Sequence, residues 1–458
     1  MSSRLLEQAQ FHGAKRLVHP RHRNFWLLTH ILIFCCSTAV VWETVTRYLS
    51  NPTYMVQMTA IKNWVTFPTV VVCPEISYPE EKIQEFLGKI KYPPSVNATY
   101  IEGIILQLGA IYSRDVTFEL EDLENIQKLL EYNDMDVETA GMMLTSTCKE
   151  ILIKCRWHGK NIPCLSLFRM EMTSYGFCCV FNGRSLKREM KNPGYNKKRP
   201  VQKLHVSQVG PNRGLIVAIS QNDTRPPVNT DLYYKWISLK NNGYYYVEML
   251  SNGTPVPIGS EVWAGYSTKG IHIDDEVKDL SHSLRRCRMT DESLKYFPEY
   301  HRTYCLMECE MARIMERCNC TQVQHPVLPG VRQCGARDVR CVRSSVVPFG
   351  AGVCDCPMTC DRDIQISMPF AFKIYPDTPV IDSFYEGLDL TRISIVRVYL
   401  QNFNKMIFSR RSYFTRFNLV AQLGGVFNMF FGCSMLTVLE ILMLLWHATD
   451  TLRNHALR

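Results

Sequence analysis

Cysteine is the residue whose number and spacing say most about the chemistry of this 458-residue chain, which holds nineteen of them. Cys35, Cys36 and Cys433 lie in apolar runs near the two ends. The other sixteen, an even number, fall between Cys73 and Cys360. So many thiols belong to an oxidising compartment, where they pair as disulfides. Cys318/Cys320 and Cys354/Cys356 are C-x-C pairs, which raises a zinc reading. No C-x2-C pair accompanies them, and no metal site is expected.

Catalytic signatures are missing. The chain has no H-E-x-x-H, no phosphate-binding Walker loop and no G-x-S-x-G, since Gly432-Cys433-Ser434 continues as Met435-Leu436 inside an apolar run. His158, His205, His272, His282, His301 and His325 are scattered and share no ligand spacing. The sequence therefore reads as a non-enzyme without a cofactor. Its 52 Lys+Arg against 43 Asp+Glu, a net +9 at 21% charged and 46% hydrophobic residues, suits neither a disordered tail nor a nucleic-acid partner.

One stretch of cysteines can be decoded further. Tyr304–Arg317 is a good helix former, and Cys305 and Cys309 at i,i+4 put both sulfurs on one face. Cys354 and Cys356 at i,i+2 share a face if that segment is extended. A helix antiparallel to such a strand joins Cys305 to Cys356 and Cys309 to Cys354. Nesting then favours Cys287–Cys360 outside and Cys318–Cys341 and Cys320–Cys334 inside, although spacing alone leaves other connectivities open. Around this stretch the sequence predicts strands over Thr66–Val72, Gly214–Ser220 and Tyr244–Leu250, helices over Pro79–Leu87 and Leu123–Tyr132, and a basic loop over Lys187–Arg199.

Two apolar runs frame the cysteine-rich middle. Phe25–Trp42 is 18 residues without a formal charge, about 27 Å as a helix against roughly 30 Å of hydrocarbon. Phe417–Thr449 is 33 residues with one charge, Glu440. Arg4, Lys15, Arg16, Arg21 and Arg23 precede the first run, which places the N-terminus in the cytosol by the positive-inside rule. No small-x-small cleavage site follows that run. Two spans return the C-terminus to the same side; Arg410, Arg411 and Arg416 on the outer flank of the second run go against the rule. The N-x-S/T sequons at Asn97, Asn222, Asn252 and Asn319 all fall between the runs and are candidate glycosylation sites. The expected organisation is a cytosolic tail over 1–24, a first span over 25–47, an extracellular disulfide-rich domain over 48–416, a second span over 417–449 and a cytosolic tail over 450–458.

The second run is too long for a simple span: 33 residues make a helix of about 50 Å. Gly424-Gly425 and Gly432-Cys433-Ser434 are its weak points. Broken backbone at membrane depth survives only where protein buries it or where it lines water. Glu440 is costly in lipid and is best explained facing water. Small residues also let several copies of a helix approach closely. Together these features describe a segment lining a water-filled passage in an oligomer.

Leu423–Glu440 (LGGVFNMFFGCSMLTVLE) resembles the second membrane segment of the degenerin/epithelial sodium channel family. His12-Gly13 matches that family's cytosolic gating dipeptide, and Phe67–Cys73 (FPTVVVC) its strand after the first span. The nested cysteines are similar to its thumb, here about 285–362. Cys148, Cys155 and Cys164, followed by Gly176–Asn182, look most like the insect pickpocket branch. The resemblance implies an α+β membrane protein: a trimer with two transmembrane helices flanking an ectodomain of palm, knuckle, finger, β-ball and thumb. It implies a Na⁺-selective, voltage-insensitive, amiloride-blocked channel subunit in the plasma membrane, homomeric or assembled with related subunits.

The same resemblance assigns residues. Gly432, Cys433 and Ser434 would form the selectivity filter, with Ala421, Gln422, Gly425, Asn428 and Glu440 as gate and pore. It implies the disulfides Cys73–Cys178 and Cys155–Cys164, which leaves Cys148 for Cys179. Gln422 stands where acid-sensing members carry an acidic residue, so proton gating is not carried over. An ATP-gated trimeric receptor and a non-conducting accessory subunit are the alternatives. The break and the cysteine ladder count against the first.

Overall fold

The strand Leu215–Ser220 shows why an unbroken apolar run makes a central strand here. Leu215, Val217 and Ile219 point into one core, with Val262, Ala264, Tyr266, Val396 and Val398. Ile216 and Ala218 point into another, with Phe384, Ile393 and Ile395. A strand covered on both faces needs no polar alternation. The computed structural model describes residues 22–50, 53–74, 78–94, 96–113, 116–173, 176–191, 204–220, 235–240, 253–292, 294–326, 328–346, 354–377 and 382–432, and beyond these only 434, 436, 437, 439, 442, 443 and 446. His12, Gly13, Asn222, Asn252, Cys433, Glu440 and the expected strand Tyr244–Leu250 lie outside the described residues.

The chain divides into two compact units, one holding Gln57–His272 with Arg286–Ser409 and the other the residues up to Val56, Ile273–Arg285 and the chain from Arg410. In the larger unit, Ile393–Leu400 runs parallel to Ser260–Ile273 on one side and antiparallel to Leu215–Ser220 on the other. These strands are the middle of a nine-stranded sheet. Gly214 is required beside it, because a Cβ there would lie 1.9 Å from the Val398 carbonyl oxygen. A second sheet of five strands places Thr69–Cys73 against Gly176–Phe181. The expected strand over Thr66–Val72 is thus interrupted at Phe67-Pro68, since proline cannot donate to a ladder.

Helices Glu80–Lys89, Ala98–Ile104, Leu120–Tyr132 and Val137–Leu144 bury an apolar face in a core of their own. They are fastened to the cysteine-rich segment by polar contacts. Gln127 Oε1 accepts from the Ala336 N–H at 2.7 Å, and Arg337 pairs with Glu131 at 2.8 Å. Arg343 donates to the carbonyls of Ala110, Ser113 and Val116. The segment Lys187–Arg199, expected as a loop, begins instead in the helix Leu186–Lys191.

Eight disulfides hold the larger unit: Cys73–Cys178, Cys148–Cys179, Cys155–Cys164, Cys287–Cys360, Cys305–Cys356, Cys309–Cys354, Cys318–Cys341 and Cys320–Cys334. The helix Arg302–Cys318 carries Cys305 and Cys309, in the nested arrangement. Its partners differ from the expected strand. The Cys356 N–H donates to the Cys354 carbonyl at 3.0 Å, a tight turn rather than an extended segment. Two short parallel pairs, Cys287–Arg288 with Met358–Thr359 and Cys320–Thr321 with Arg332–Gln333, sit beside disulfides of their own. Asn319 ends the helix in the left-handed region at φ 51° and is exposed. Asn97, also exposed, caps the helix Ala98–Ile104 by accepting from the Thr99 N–H at 3.2 Å.

Candidate functional site

The smaller unit holds the helices of both apolar runs. Arg23–Ser50 is 28 residues, about 42 Å, and among the described residues is the one helix long and apolar enough to cross a membrane. Most of its residues are exposed; Ser37 and Thr44 are its buried residues, seven apart and so on one face. Their hydroxyls are satisfied inside the helix, by the carbonyls of Phe34 and Val40. Glu43 and Arg47 pair at 2.6 Å, four residues apart, near its C-terminal end.

The second run forms the helix Arg416–Phe431, started by the Thr415 side chain, which accepts from the Asn418 N–H at 3.0 Å. It packs against the first helix. Leu419, Leu423, Val426 and Phe430 form its half-buried apolar stripe. Ala421, Gly425 and Asn428 each sit two residues further on, about 200° round the helix, on an exposed face of small and polar residues. Gln422 is exposed beside them. Sequence reasoning named these positions, and the structure brings them to one side of one helix.

The break comes where one weak point was expected and is absent at the other. The helix runs unbroken through Gly424-Gly425, where added Cβ atoms would meet open space. It ends at Phe431, with Gly432 at φ 65° as a left-handed cap whose N–H donates to the Asn428 carbonyl at 2.9 Å. Only glycine takes that conformation without strain. Two residues later Ser434 starts a new turn. Its Oγ accepts from the Thr437 N–H at 3.4 Å, while Thr437 Oγ1 accepts from the Ser434 N–H at 3.2 Å. This reciprocal cap gives Thr437 a role that sequence reasoning missed; the signal was a hydrogen-bonding side chain three residues after Ser434, the spacing of a capping box with threonine in place of its usual Glu or Gln.

Arg410, Arg411 and Arg416, which broke the charge rule, are held by partners in the same unit. Arg411 pairs with Asp274 at 3.2 Å and Arg416 with Asp279 at 3.8 Å. Arg410 donates to Thr53 Oγ1 at 2.8 Å and to the Arg285 carbonyl at 2.7 Å. The flank is therefore less positive than its sequence, because carboxylates from a distant segment sit on it.

The sequence profile of the amiloride-sensitive sodium channel family matches residues 5–444. The chain belongs to that family. It is 26% identical over 441 residues to sodium channel protein Nach of Drosophila melanogaster, covering 91% of this chain and 81% of that protein. It is 23% identical over 418 residues to pickpocket protein 19 of the same fly, covering 83% and 76%. The human bile acid-sensitive ion channel is 21% identical over 458 residues, covering 94% and 83%. A cryo-EM structure of a proton-activated chloride channel overlaps 92% of this chain and 97% of its own, at a TM-score of 0.33 and 8% identity. Members of the amiloride-sensitive sodium channel family are plasma-membrane ion channels assembled from related subunits, and this protein is accordingly not an enzyme.

Proposed function

We propose that this protein is one subunit of a trimeric, voltage-insensitive, Na⁺-selective channel of the plasma membrane. In this reading it has two spans (25–47 and 417–449), both termini cytosolic, and residues 48–416 outside, arranged as palm, knuckle, finger, β-ball and thumb. Gly432, Cys433 and Ser434 act as the filter; Ala421, Gln422, Gly425, Asn428 and Glu440 face the pore; His12-Gly13 acts in cytosolic gating; Asn97, Asn222, Asn252 and Asn319 carry glycans. An extracellular chemical, osmotic or mechanical stimulus opens the pore, and an amiloride-type molecule blocks it.

The observation that carries this reading is the break itself, a helix stopped by a glycine cap at 432 and restarted by a serine cap at 434. Such a break leaves the last carbonyls of the helix Arg416–Phe431 without helical partners. Carbonyls in that state can replace part of a hydration shell. The test is whole-cell recording of the chain expressed alone and with related subunits. A Na⁺ current absent in Ser434→Leu, with equal surface protein, is the expected result. Unchanged current and Na⁺/K⁺ selectivity in that variant would put the pore elsewhere.

A further inference from the structure

Two separate stretches of the larger unit leave large apolar side chains in solvent. The first lies on the strand Phe370–Lys373, which pairs with Ser260–Ile273 on one side and has no strand on its other side among the described residues. Met368, Phe370, Phe372 and Tyr375 are each more than half exposed, as is Ile258 beside them, where the Gly259 carbonyl accepts from the Ile374 N–H at 2.9 Å. Phe372 meets Trp263 edge-to-face at 5.6 Å, so the aromatic surface continues onto the neighbouring strand. From Ile366 to Pro376 the one charged residue is Lys373.

The second stretch lies on the end of the strand Thr53–Ile61 and just after it, and that strand ends the same sheet in the strand order. Ile61 and Trp64 are more than half exposed and Met58 more than a third. From Gln57 to Thr69 the one charged residue is Lys62.

An open strand edge with apolar side chains is a surface that soluble proteins cover or charge, because it pairs with other chains. Five side chains of this size, half or more exposed, present on the order of 500 Å² of apolar surface, at the upper end of what a monomer leaves uncovered. A standard interface buries about 800 Å² per partner, so such a patch can form its apolar centre. What covers it follows from there being two patches. A closed ring of identical subunits needs two different, mutually complementary faces on each chain, one meeting the other on the next copy. Both stretches are apolar and nearly uncharged, and each lies at a strand that has a partner on one side only among the described residues.

We infer that the edge Met368–Tyr375 of one subunit packs against Met58–Trp64 of the next copy of this chain in the assembled channel. This rests on the multimeric reading and adds which surfaces meet. The test uses the full chain in detergent and at the cell surface, with a membrane-impermeant bifunctional maleimide. Chains carrying only Trp64→Cys are co-expressed with chains carrying only Phe370→Cys. Both positions are more than half exposed, so the substitutions spare the fold. Cross-linked dimers in the mixture and not in either chain alone are the expected result. Dimers from Phe370→Cys chains alone would mean a self-facing contact and overturn the inference. A multimeric wild type whose mixture gives no cross-link overturns it while leaving the channel reading standing. A monomeric wild type overturns both.

Discussion

Ser434 and Thr437 cap one another across the turn that follows the break, so the Ser434 hydroxyl is held by its own chain as well as placed at the expected filter. Thr437→Val keeps the shape and removes the oxygen that accepts from the Ser434 N–H. Losing a cap costs about 1 kcal/mol, and here the loss falls on the hydroxyl at the proposed filter. The expected outcome is normal surface protein with a lowered Na⁺/K⁺ permeability ratio, read from reversal potentials; an unchanged ratio would deny Thr437 that role. Elsewhere, His325 is buried with its Nδ1 unpartnered among the described residues. Burial first, and the nearby Lys187 charge second, lower its pKa to about 4. Glu138 neutralises that lysine, and Lys187 also donates to the Val323 carbonyl at 3.0 Å. A histidine held neutral when folded takes up a proton on unfolding below its ordinary value near 6.5. Stability from this residue is thus complete above pH 6.5 and lost as the pH falls towards 4. In His325→Gln the decline in unfolding temperature from pH 7 to pH 4.5 should be shallower than in wild type, whatever the starting values. Equal slopes would show that His325 does not titrate in this window.

Among the elements, the disulfide-linked segment makes the firmest forecast. Loop-closure entropy stabilises by about 3 kcal/mol for a 15-residue loop and about 4.7 kcal/mol for 100 residues. Cys287–Cys360 spans 73 residues and Cys320–Cys334 spans 14. Replacing the outer pair by alanines should therefore reduce surface protein and unfolding temperature more than replacing the inner pair; the reverse order would show that loop length does not set these contributions. The cysteine-bearing helix was legible because i,i+4 spacing on good helix formers fixes a face before any tertiary contact exists. The turn at Cys354–Cys356 was not, since i,i+2 fits an extended strand and a tight turn alike. Gly424-Gly425 misled for a different reason. A glycine in a helix interior costs only about 1 kcal/mol, which the helix absorbs twice without breaking. It stops only where a left-handed residue supplies a cap. The pairing of Arg411 with Asp274 and Arg416 with Asp279 was invisible because those partners are more than 130 residues apart along the chain.

At the scale of the whole molecule, the helix Arg416–Phe431 poses the question that only assembly answers. None of its residues is fully buried within one chain, and Ala421, Gly425 and Asn428 stand on its exposed side, away from the half-buried Leu419–Leu423–Val426–Phe430 stripe. Small residues on an exposed helix face suit close approach by further copies, as the proposed second span requires. Ala421 lies eleven residues before Gly432, about 16 Å along a helix that is continuous between them. In a closed trimer, three copies of this face would meet most tightly at that level. Ala421→Phe would overpack the contact, commonly at about 1–3 kcal/mol per site, and three sites act together. A closed-to-open equilibrium separated by a few kcal/mol would be reversed by that sum. The expected outcome is a constitutive Na⁺ current without a stimulus, blocked by amiloride, from cells whose wild-type channels are silent at rest. The smaller Ala421→Gly relieves packing and should leave the resting current unchanged. Should Ala421→Phe reach the surface and stay silent, alone and with related subunits, the closed pore would not be formed by this face of the helix.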